Sequence, residues 1–327
     1  MLERAMPVFG GWALNILSPG FGGNPSSVQS RRLVAVARLF EDHIEPIVPR
    51  EGNDYYDAAA EAAAREAYYS DIRIGGSVDR AESYYVLSAL LKETHTFKPG
   101  YSEARRKHLY PNVDLHPDGK LRGVYTGRVF SPQQAIVEDL MAEFKLGEFA
   151  PALKPGAGRI LAPMLAGAEV AGHNRPLFNC EHSVPQSWYG KRQPMRGDLH
   201  TLFTADPGCN GNRGSLPFGD NGGADGMACG IARSKFEPAR NKGAVARATL
   251  YFLMRYPGRI SHRKMPKDTV DTLIKWHKAD PPSLWELHRN QEIAKVQGNR
   301  NPLIDHPEWA DLIDFKIGIS GGSRKRD

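Results

Sequence analysis

The sequence predicts an α+β fold that is mostly helical with a small β component. Apolar residues recur every three or four positions in the outer thirds of the chain, as they do along amphipathic helices. The middle stretch 177–219 has few apolar runs and is dense in His, Asn, Asp, Arg and Gly. An apolar content of 41% over 327 residues is ordinary for a globular protein of one large domain or two.

Composition and charge exclude several classes of protein. Collagen-like, disordered and disulfide-framework chains are excluded, because the charge is moderate and only three cysteines occur. No stretch approaches the roughly 18 apolar residues of a membrane span, and the best run, 160–172, is predicted to lie in the core. The N-terminal residues lack the pattern of a secretory signal, so we expect an intracellular chain or a processed form. A net charge of +6 indicates an anionic partner only weakly.

Three helices are predicted in the first hundred residues. Residues 31–44 carry apolar side chains every three or four positions. Residues 55–69 are rich in alanine and place Glu61 and Arg65 four positions apart, which favours a helix through propensity and charge pairing. Residues 81–92 are predicted to form the next helix.

The rest of the chain is predicted to contain one short strand, four helices and a mobile tail. The strand covers 120–128, and the helices cover 132–146, 244–256, 268–278 and 282–296. The C-terminal residues are rich in Gly and Ser and end in a run of charges, which indicates mobility. Because ordinary cores are not built from a segment such as 177–219, the chemistry is predicted to lie there.

The first polar cluster of that segment pairs a carboxylate with an imidazole. Glu181 and His182 are adjacent in NCEHSVPQSW, 179–188. A carboxylate suits Mg²⁺ or Ca²⁺, and a neutral imidazole is a good general base near pH 7. Neighbouring side chains on a strand point to opposite faces, so either the backbone turns here or the imidazole acts on a water that the metal does not hold directly. The alternative is a surface Glu beside a His that is hydrogen-bonded in the core.

The second polar cluster begins with a helix signal. Asp206 and Pro207 suit the N-cap and the first position of a short helix, which would place Asn210 and Arg213 on one face. Two glycines weaken that helix. An Asn carbonyl is a neutral oxygen ligand, and an Arg fork fits a phosphate. The alternative is a Gly/Asn turn followed by a solvated arginine.

Together the two clusters contain the groups that hydrolysis of a phosphodiester requires. Glu181 and Asn210 are candidates to hold one Mg²⁺ and to leave its other positions to water. His182 is the candidate base that takes a proton from the attacking water. Arg213 is the candidate to neutralise, with the metal, the charge that grows on the phosphoryl and leaving oxygens.

Two further sets of polar residues flank these candidates. Asp198 and His200 are candidates to orient the groups of the site, and the alternative is a buried structural pair. Lys191, Arg192 and Arg196 stand in a loop beside the site and are candidates to contact backbone phosphates. This basic loop indicates a nucleic-acid partner more strongly than the net charge of the whole chain does.

Three motifs in fixed order carry a family resemblance. NCEHSVPQS at 179–187, DLHTLF at 198–203 and NGNRGSLPFG at 210–219 resemble N-x-E-H-V-V-P-Q-S, D-L-H-x-L-F and N-x-x-R-x-x-x-P-F-G of the endonuclease I family. These are non-specific nucleases built on the ββα-metal, or His-Me, finger. The resemblance covers roughly 85–312 and includes six further segments: YSEAR at 101–105, VYTGR at 124–128, FEP at 236–238, KGAVARA at 242–248, KWHKADP at 275–281 and QGNRNPLIDHP at 297–307.

The resemblance implies site residues, a central fold element and a division of the chain. His182 is implied as general base and Glu181 and Asn210 as metal ligands, within a central ββα-metal finger. We therefore divide the chain into an N-terminal helical extension of unknown role, an endonuclease I-like domain and a flexible basic tail, which cover 1–80, 81–315 and 316–327.

The chain departs from the family pattern at a few positions. Ser183 replaces the usual apolar residue after the His, and Thr204 and Ala205 stand where many members have Pro and Thr. Cys180 and Cys209 each precede a proposed ligand. Ligands that share a metal would bring these cysteines close enough for a disulfide, and the alternative is that both are small buried residues.

One further segment and three tryptophans are given structural roles. The segment 297–307 is predicted to be a structural closure, with Arg300 as a candidate phosphate contact. Trp276, Trp285 and Trp309 stand in helical context and are predicted to lie in the core.

The resemblance predicts a secreted or periplasmic endonuclease that depends on Mg²⁺, with Mn²⁺ or Ca²⁺ as substitutes. It is expected to cut DNA, with RNA as a second candidate substrate, with little sequence preference and to leave 5′-phosphate ends. We expect a monomer that has no membrane partner. The alternative is a non-catalytic nucleic-acid-binding protein on the same scaffold, and the joint presence of Glu181, His182, Asn210 and Arg213 argues against it.

Overall fold

The computed structural model describes residues 47–133, 135–136, 138–139, 178–221 and 229–320. Contacts divide the chain into two compact units, Pro49–Phe130 with Phe178–Asp327 and Met1–Val48 with Ser131–Leu177. Every element named below belongs to the first unit. Several predicted segments lie outside the described residues: 1–46 of the extension with its helix 31–44, most of the helix 132–146, the apolar run 160–172, and 321–327 of the tail. The predicted domain boundaries stay predictions.

Helices account for about half of the described residues and the strands form small sheets, so the predicted α+β class is confirmed. The helices are α1, Ala58–Tyr68; α2, Arg80–Thr94; α3, Tyr101–Glu103, which continues as a π-helix over Ala104–Val113; α4, Pro207–Arg213; α5, Lys242–Arg255; α6, Lys267–Ala279; α7, Leu284–Gln297; and α8, Pro302–Asp305. The strands are β1, Leu121–Arg122; β2, Val129–Phe130; β3, Asn179–His182; β4, Leu202–Ala205; β5, Cys229–Ala232; β6, Lys235–Pro238; β7, Ile260–Ser261; and β8, Ile319–Ser320.

The described strands pair two by two. β1–β2, β3–β4 and β5–β6 are antiparallel, and β7–β8 is parallel. The strand predicted over 120–128 is shorter than expected, because the chain turns after β1 and returns as β2. The Gly123 N–H donates to the Arg128 carbonyl at 2.8 Å, and Gly127 has a φ of +73° that favours glycine. β8 also lies within the predicted mobile tail, where Ile319 is buried, so this part of the tail is folded.

The apolar core is centred on α5. Nearly all of its residues are buried, and α2 and α6 pack against it. The helices predicted over 244–256, 268–278 and 282–296 are confirmed as α5, α6 and α7. The helices predicted over 55–69 and 81–92 are confirmed as α1 and α2.

The ends of the helices follow local sequence signals. A capping box between Ser283 and Glu286 begins α7, and Gly298 ends it with a φ of +86°. A side chain at Gly298 would lie 2.5 Å from the Thr94 carbonyl oxygen, so only glycine allows the ends of α2 and α7 to meet this closely.

Arg300 has a structural role. Its Nε donates to Asp305 at 2.7 Å and its Nη2 to Glu61 at 2.7 Å, so it joins α8 to α1. It is buried, and its predicted phosphate contact is therefore wrong. Trp276 and Trp285 are buried as predicted, and Trp309 packs partly buried against the core. In the described part of the chain, no helix is long and apolar enough to cross a membrane.

Candidate active site

Two antiparallel strands and a short helix build the candidate site. β3 and β4 pair from Asn179 opposite Ala205 to His182 opposite Leu202. The chain then enters α4, whose N-cap is Asp206. The Asp206 carboxylate accepts from the backbone N–H groups of the first turn at 2.9 and 3.3 Å, so the predicted helix start is confirmed.

α4 packs one face against β3. Asn210 donates through its side-chain nitrogen to the Asn179 side-chain oxygen at 2.5 Å and to the Cys180 carbonyl at 3.5 Å. One turn later, Arg213 forms a buried ion pair with Glu181. Residues three apart share a helix face, as Asn210 and Arg213 do on α4, and residues two apart share a strand face, as Asn179 and Glu181 do on β3. The two helix residues can therefore contact the two strand residues at the same time.

The Glu181 carboxylate is buried and held from two sides. The Tyr125 hydroxyl donates to Oε1 at 2.5 Å, and Arg213 contacts the same oxygen. Burial raises the pKa of Glu181, while Arg213 and the Tyr125 hydrogen bond oppose the rise. Burial also raises the pKa of Tyr125 well above its usual value, so this phenol stays a hydrogen-bond donor.

Arg213 lies in a different position from the one expected for a substrate contact. Its side chain is 1% exposed. Besides Glu181, it donates to the His182 carbonyl at 2.7 Å and to the Ser183 carbonyl at 2.6 Å, and its guanidinium carbon lies 4.3 Å from the centre of the Phe218 ring. The guanidinium thus bonds to groups of the protein itself and joins α4 to the end of β3.

His182 and Glu181 contact different parts of the protein. Its Nε2 lies 3.0 Å from the Arg196 carbonyl oxygen, and its ring centre lies 5.1 Å from that of Tyr101. β3 runs through Glu181 and His182 without a turn, so the two side chains serve different surroundings. Burial above all, with the charges of Arg196, Arg105 and Arg213, lowers the pKa of His182 to about 3, although the contact with the Arg196 carbonyl opposes this shift. The ring is therefore neutral at pH 7.

The donor set at Glu181 and Asn210 fits a hard divalent cation in its chemistry. A carboxylate and an amide oxygen are the ligand types that Mg²⁺ and Ca²⁺ prefer, and α4 and β3 face each other at these residues. An ionised carboxylate has about four lone-pair positions, so the two contacts at Oε1 leave capacity for a cation. Among the described residues, no group of three or more His, Cys, Asp or Glu side chains is placed to hold a metal ion. A metal here would thus take most of its ligands from water and substrate.

Asp198 and His200 are buried and bind elements of the helical core. Asp198 accepts from the hydroxyls of Tyr251 at 2.9 Å and Tyr256 at 2.8 Å and from the Gln297 side chain at 3.0 Å. His200 Nε2 lies 3.1 Å from the Asn299 carbonyl oxygen. Burial lowers the pKa of His200 to about 4, so this ring is neutral at pH 7.

Asp198 follows by two residues the Arg196 carbonyl that contacts His182, so its contacts fix the chain close to that carbonyl. Burial raises the pKa of Asp198, but His95, His200 and the hydrogen bonds outweigh it, and the pKa is lowered. The carboxylate therefore stays ionised and fixes the end of the loop. The predicted role of Asp198 and His200 in orienting the site stays a prediction, and their burial and contacts also fit the alternative of buried structural residues.

The basic loop leaves two of its three predicted cations exposed. Lys191 and Arg192 are exposed, and Arg196 is half-buried. The Arg196 Nε donates to the Gln186 side chain at 3.1 Å. The side chain of Arg196 is thus held by Gln186, and its backbone carbonyl contacts His182.

The disulfide joins different cysteines from those considered in the sequence. Cys209 pairs with Cys229, which links α4 to β5, and Cys180 takes no part in this bond. Cys180 lies on β3 beside the α4 residue Asn210, but the neighbouring Cys209 forms its disulfide with Cys229 on β5. The Cys180–Cys209 pairing is therefore wrong.

Three contacting residues were given no role from the sequence. Tyr125 holds Glu181, Asn179 holds Asn210, and Tyr101 lies against His182. Tyr101 and Tyr125 stand in the segments YSEAR and VYTGR, so the sequence shows the motifs that contain them but not which residues they contact. Only the pairing of elements distant in sequence places them at the site.

Comparisons with known proteins point to nucleases. A family model described as Endonuclease I matches residues 163–308. An extracellular ribonuclease of Bacillus subtilis (strain 168) is 35% identical over 161 residues, which are 43% of this chain and 56% of that protein. An extracellular deoxyribonuclease of Aeromonas hydrophila is 34% identical over 119 residues, 34% of this chain and 50% of that protein. A periplasmic deoxyribonuclease of the same species is 34% identical over 119 residues, 34% of this chain and 48% of that protein. The chain spans about half the length of these curated relatives.

Proposed function

We propose that this chain, whose residues 163–308 match a family model described as Endonuclease I, is a member of that family and a metal-dependent endonuclease that hydrolyses the phosphodiester bonds of nucleic acids. The family match and the names of the relatives support the reaction class. The candidate site supports it with a neutral imidazole on β3, next along the strand to a buried carboxylate that faces other surroundings, and with an amide on α4. We further propose that β3, β4 and α4 form the ββα-metal finger.

The contact between His182 and Arg196 is the observation on which the proposal rests. A carbonyl oxygen only accepts hydrogen bonds, so the ring nitrogen Nε2 carries the proton and Nδ1 is left as the proton acceptor. An anionic phosphate beside the ring favours its protonated form. Proton transfer from the attacking water to Nδ1 is therefore easier with substrate in place.

Glu181 and Asn210 are the proposed metal-binding residues. We propose Mg²⁺ as the ion, with Mn²⁺ or Ca²⁺ as substitutes. When bound, the ion would polarise the phosphoryl oxygens and stabilise the charge on the leaving 3′ oxygen, which gives 5′-phosphate ends. The Tyr125 and Arg213 contacts hold the Glu181 carboxylate in place before the metal binds.

Arg213 and Asp198 act through other residues in this proposal. Arg213 fixes the His182 carbonyl and the Glu181 side chain to the helix that carries Asn210. Asp198 fixes the end of the loop that presents the Arg196 carbonyl. Both are positioning residues, and the charge on the phosphate is left to the metal and to the basic loop, Lys191, Arg192 and Arg196.

The proposed substrate is DNA, with RNA as a second substrate, because the relatives include both deoxyribonucleases and ribonucleases. The proposed location is outside the cytoplasm. The relatives named as extracellular or periplasmic support it, and so does the disulfide between Cys209 and Cys229, since such bonds persist in oxidising compartments.

The test is digestion of supercoiled plasmid by the full chain in Mg²⁺, with EDTA and with His182→Ala. We expect cleavage in Mg²⁺ and none in EDTA, and a fall in kcat of roughly 100-fold to 10,000-fold for His182→Ala. A DNA ligase should join the products without prior phosphorylation, because it requires 5′-phosphate ends.

His277→Ala is the matched control. This histidine is also buried, and its Nε2 lies 2.8 Å from a backbone carbonyl oxygen, that of Pro307. It should lower stability and leave the activity of the folded protein unchanged. Cleavage in EDTA, or full activity of His182→Ala, would overturn the mechanism, and retention of DNA without nicking would indicate the non-catalytic alternative.

A further inference from the structure

A tyrosine and two arginines form a compact cluster beside His182. The guanidinium carbons of Arg105 and Arg196 lie 4.2 and 4.4 Å from the centre of the Tyr101 ring. The same ring centre lies 5.1 Å from that of His182. Tyr101 begins α3 and Arg196 belongs to the basic loop, so the cluster joins two segments that are distant in sequence.

The two segments are fixed against each other at the backbone. A side chain at Gly197 would collide with the Pro99 carbonyl oxygen, so only glycine lets the loop approach the start of α3 this closely. The Arg196 side chain is held by Gln186, and its carbonyl contacts His182. The position of the Arg196 guanidinium is therefore tied to that of the proposed general base.

The electrostatics of the cluster favour an anionic ligand. Both guanidinium groups contact the Tyr101 ring, so the distance between them is at most the sum of their distances to the ring centre. Like charges at such separations repel. The electron-rich face of a tyrosine attracts each cation and partly offsets that repulsion. An anionic phosphate is attracted to both cations. All three residues are half-buried, so they remain accessible to a ligand.

The chemistry of the cluster matches a nucleic-acid backbone. Guanidinium groups bind phosphate oxygens through paired hydrogen bonds, and phosphates of one strand follow each other at about 3.4 Å along a duplex axis. Two arginines this close together can therefore contact one phosphate or two neighbouring ones. The position beside His182 places these phosphates next to the bond that the proposed mechanism cleaves.

We propose that Tyr101, Arg105 and Arg196 form a phosphate-binding subsite beside His182, in which Tyr101 is the positioning residue for both guanidinium groups. The inference rests on the proposed function for its ligand, a nucleic-acid backbone. It adds Tyr101 and Arg105 to the substrate-binding residues and gives the YSEAR segment a role.

The experiment measures binding of a labelled DNA duplex to the full chain in EDTA, where cleavage is stopped, across a series of salt concentrations. Arg105→Gln should lower the slope of log affinity against log salt by about one and weaken binding roughly threefold to tenfold in 0.1 M salt. Arg105→Lys should restore the slope, because it restores the charge.

Tyr101 is tested with two variants. Tyr101→Phe keeps the ring and should bind within about twofold of wild type. Tyr101→Leu removes the ring, so it should weaken binding as Arg105→Gln does and raise KM more than it lowers kcat. Equal binding by Tyr101→Leu and wild type would overturn the positioning role.

Arg73→Gln is the matched control for charge. This exposed arginine donates only to carbonyl groups of its own turn among its described contacts, those of Ser70 and Ile72, and its loss should leave the slope unchanged. An equal change of slope in Arg73→Gln and Arg105→Gln, or no change in Arg105→Gln, would overturn the subsite. Plasmid cleavage in Mg²⁺ is scored separately, so a wild type that binds with the expected slope but never cleaves would contradict the proposed function and leave the subsite supported.

Discussion

The helical core and the candidate active site are held together by different kinds of interaction. α5 is buried along nearly its whole length, mostly among apolar side chains, although its Arg247 forms an ion pair with Glu286 of α7. β3 and α4 are instead joined by the Glu181–Arg213 ion pair, by amide contacts at Asn210 and by carbonyls that accept from Arg213. The core therefore tolerates exchange of one apolar side chain for another of similar volume, whereas the site depends on the geometry of a few polar atoms.

The difference also separates stability from activity. Loss of apolar volume in α5 should unfold the protein without altering the chemistry of the molecules that stay folded. Loss of a polar contact at the site should alter the chemistry even where stability can be restored. Four substitutions test this contrast, from the largest expected effect to the smallest.

Arg213→Met should lower the free energy of unfolding by about 3–5 kcal/mol, because it leaves the Glu181 carboxylate buried without its cation. The double variant Glu181→Leu with Arg213→Met replaces the pair by apolar groups and should regain most of that stability. Denaturant unfolding and plasmid digestion are measured on the same samples. We expect the double variant to be stable and inactive, and an active double variant would show that the ion pair has no role in the chemistry.

Leu250→Ala should lower the free energy of unfolding by about 2–5 kcal/mol, because the side chain is fully buried in α5. The control is Leu284→Ala, whose side chain is exposed, with an expected change within about 0.5 kcal/mol. Activity per folded molecule should be unchanged in both variants. A selective loss of activity in Leu250→Ala would mean that core and site are coupled more closely than their contacts indicate.

Loss of the Cys209–Cys229 disulfide should lower the free energy of unfolding by about 3 kcal/mol, as expected for a bond between residues 20 positions apart. The variant is Cys209→Ser with Cys229→Ser, and its thermal unfolding should no longer respond to a reducing agent. Cys180→Ser is the control, since Cys180 takes no part in this disulfide. If wild type and the double variant unfold at the same temperature, the disulfide does not stabilise α4.

Ser183→Ala should raise the free energy of unfolding by about 1 kcal/mol. Within the described residues the Ser183 hydroxyl is buried without a hydrogen-bond partner, at a position where the endonuclease I motif that this chain resembles usually has an apolar residue. The control is Ser187→Ala, whose hydroxyl lies 3.0 Å from that of Ser215 and is exposed. A loss of stability in Ser183→Ala would show that this hydroxyl has a partner in solution.

The same contrast explains which features the sequence predicts. The helices α5, α6 and α7 follow an apolar period and end at local caps such as Ser283 and Gly298, so neighbouring residues are enough to predict them. The start of α4 at Asp206 is equally local. The strand over 120–128 was overpredicted, because the turn between β1 and β2 follows from glycine conformation and pairing rather than from hydrophobicity.

The partners within the site depend on pairing between distant segments. No local pattern connects Tyr125 with Glu181, or shows that Arg213 is buried rather than open to substrate. The cysteine pairing failed for the same reason, since the position of β5 relative to α4 is not encoded near Cys209. The motifs predicted the candidate residues, and the fold decides which partners and which atoms those residues use.

The hydrogen bonds of Asp198 have a consequence for how the protein is made. Tyr251, Tyr256 and Gln297 follow Asp198 by 53, 58 and 99 residues, so its partners leave the ribosome long after the motifs of the site do. A nascent chain that stops before Gln297 has the proposed general base and metal-binding residues but lacks the contacts that fix the loop beside them. Translation order thus delays assembly of the site until Gln297 has been synthesised, and products that end before it are expected to be inert.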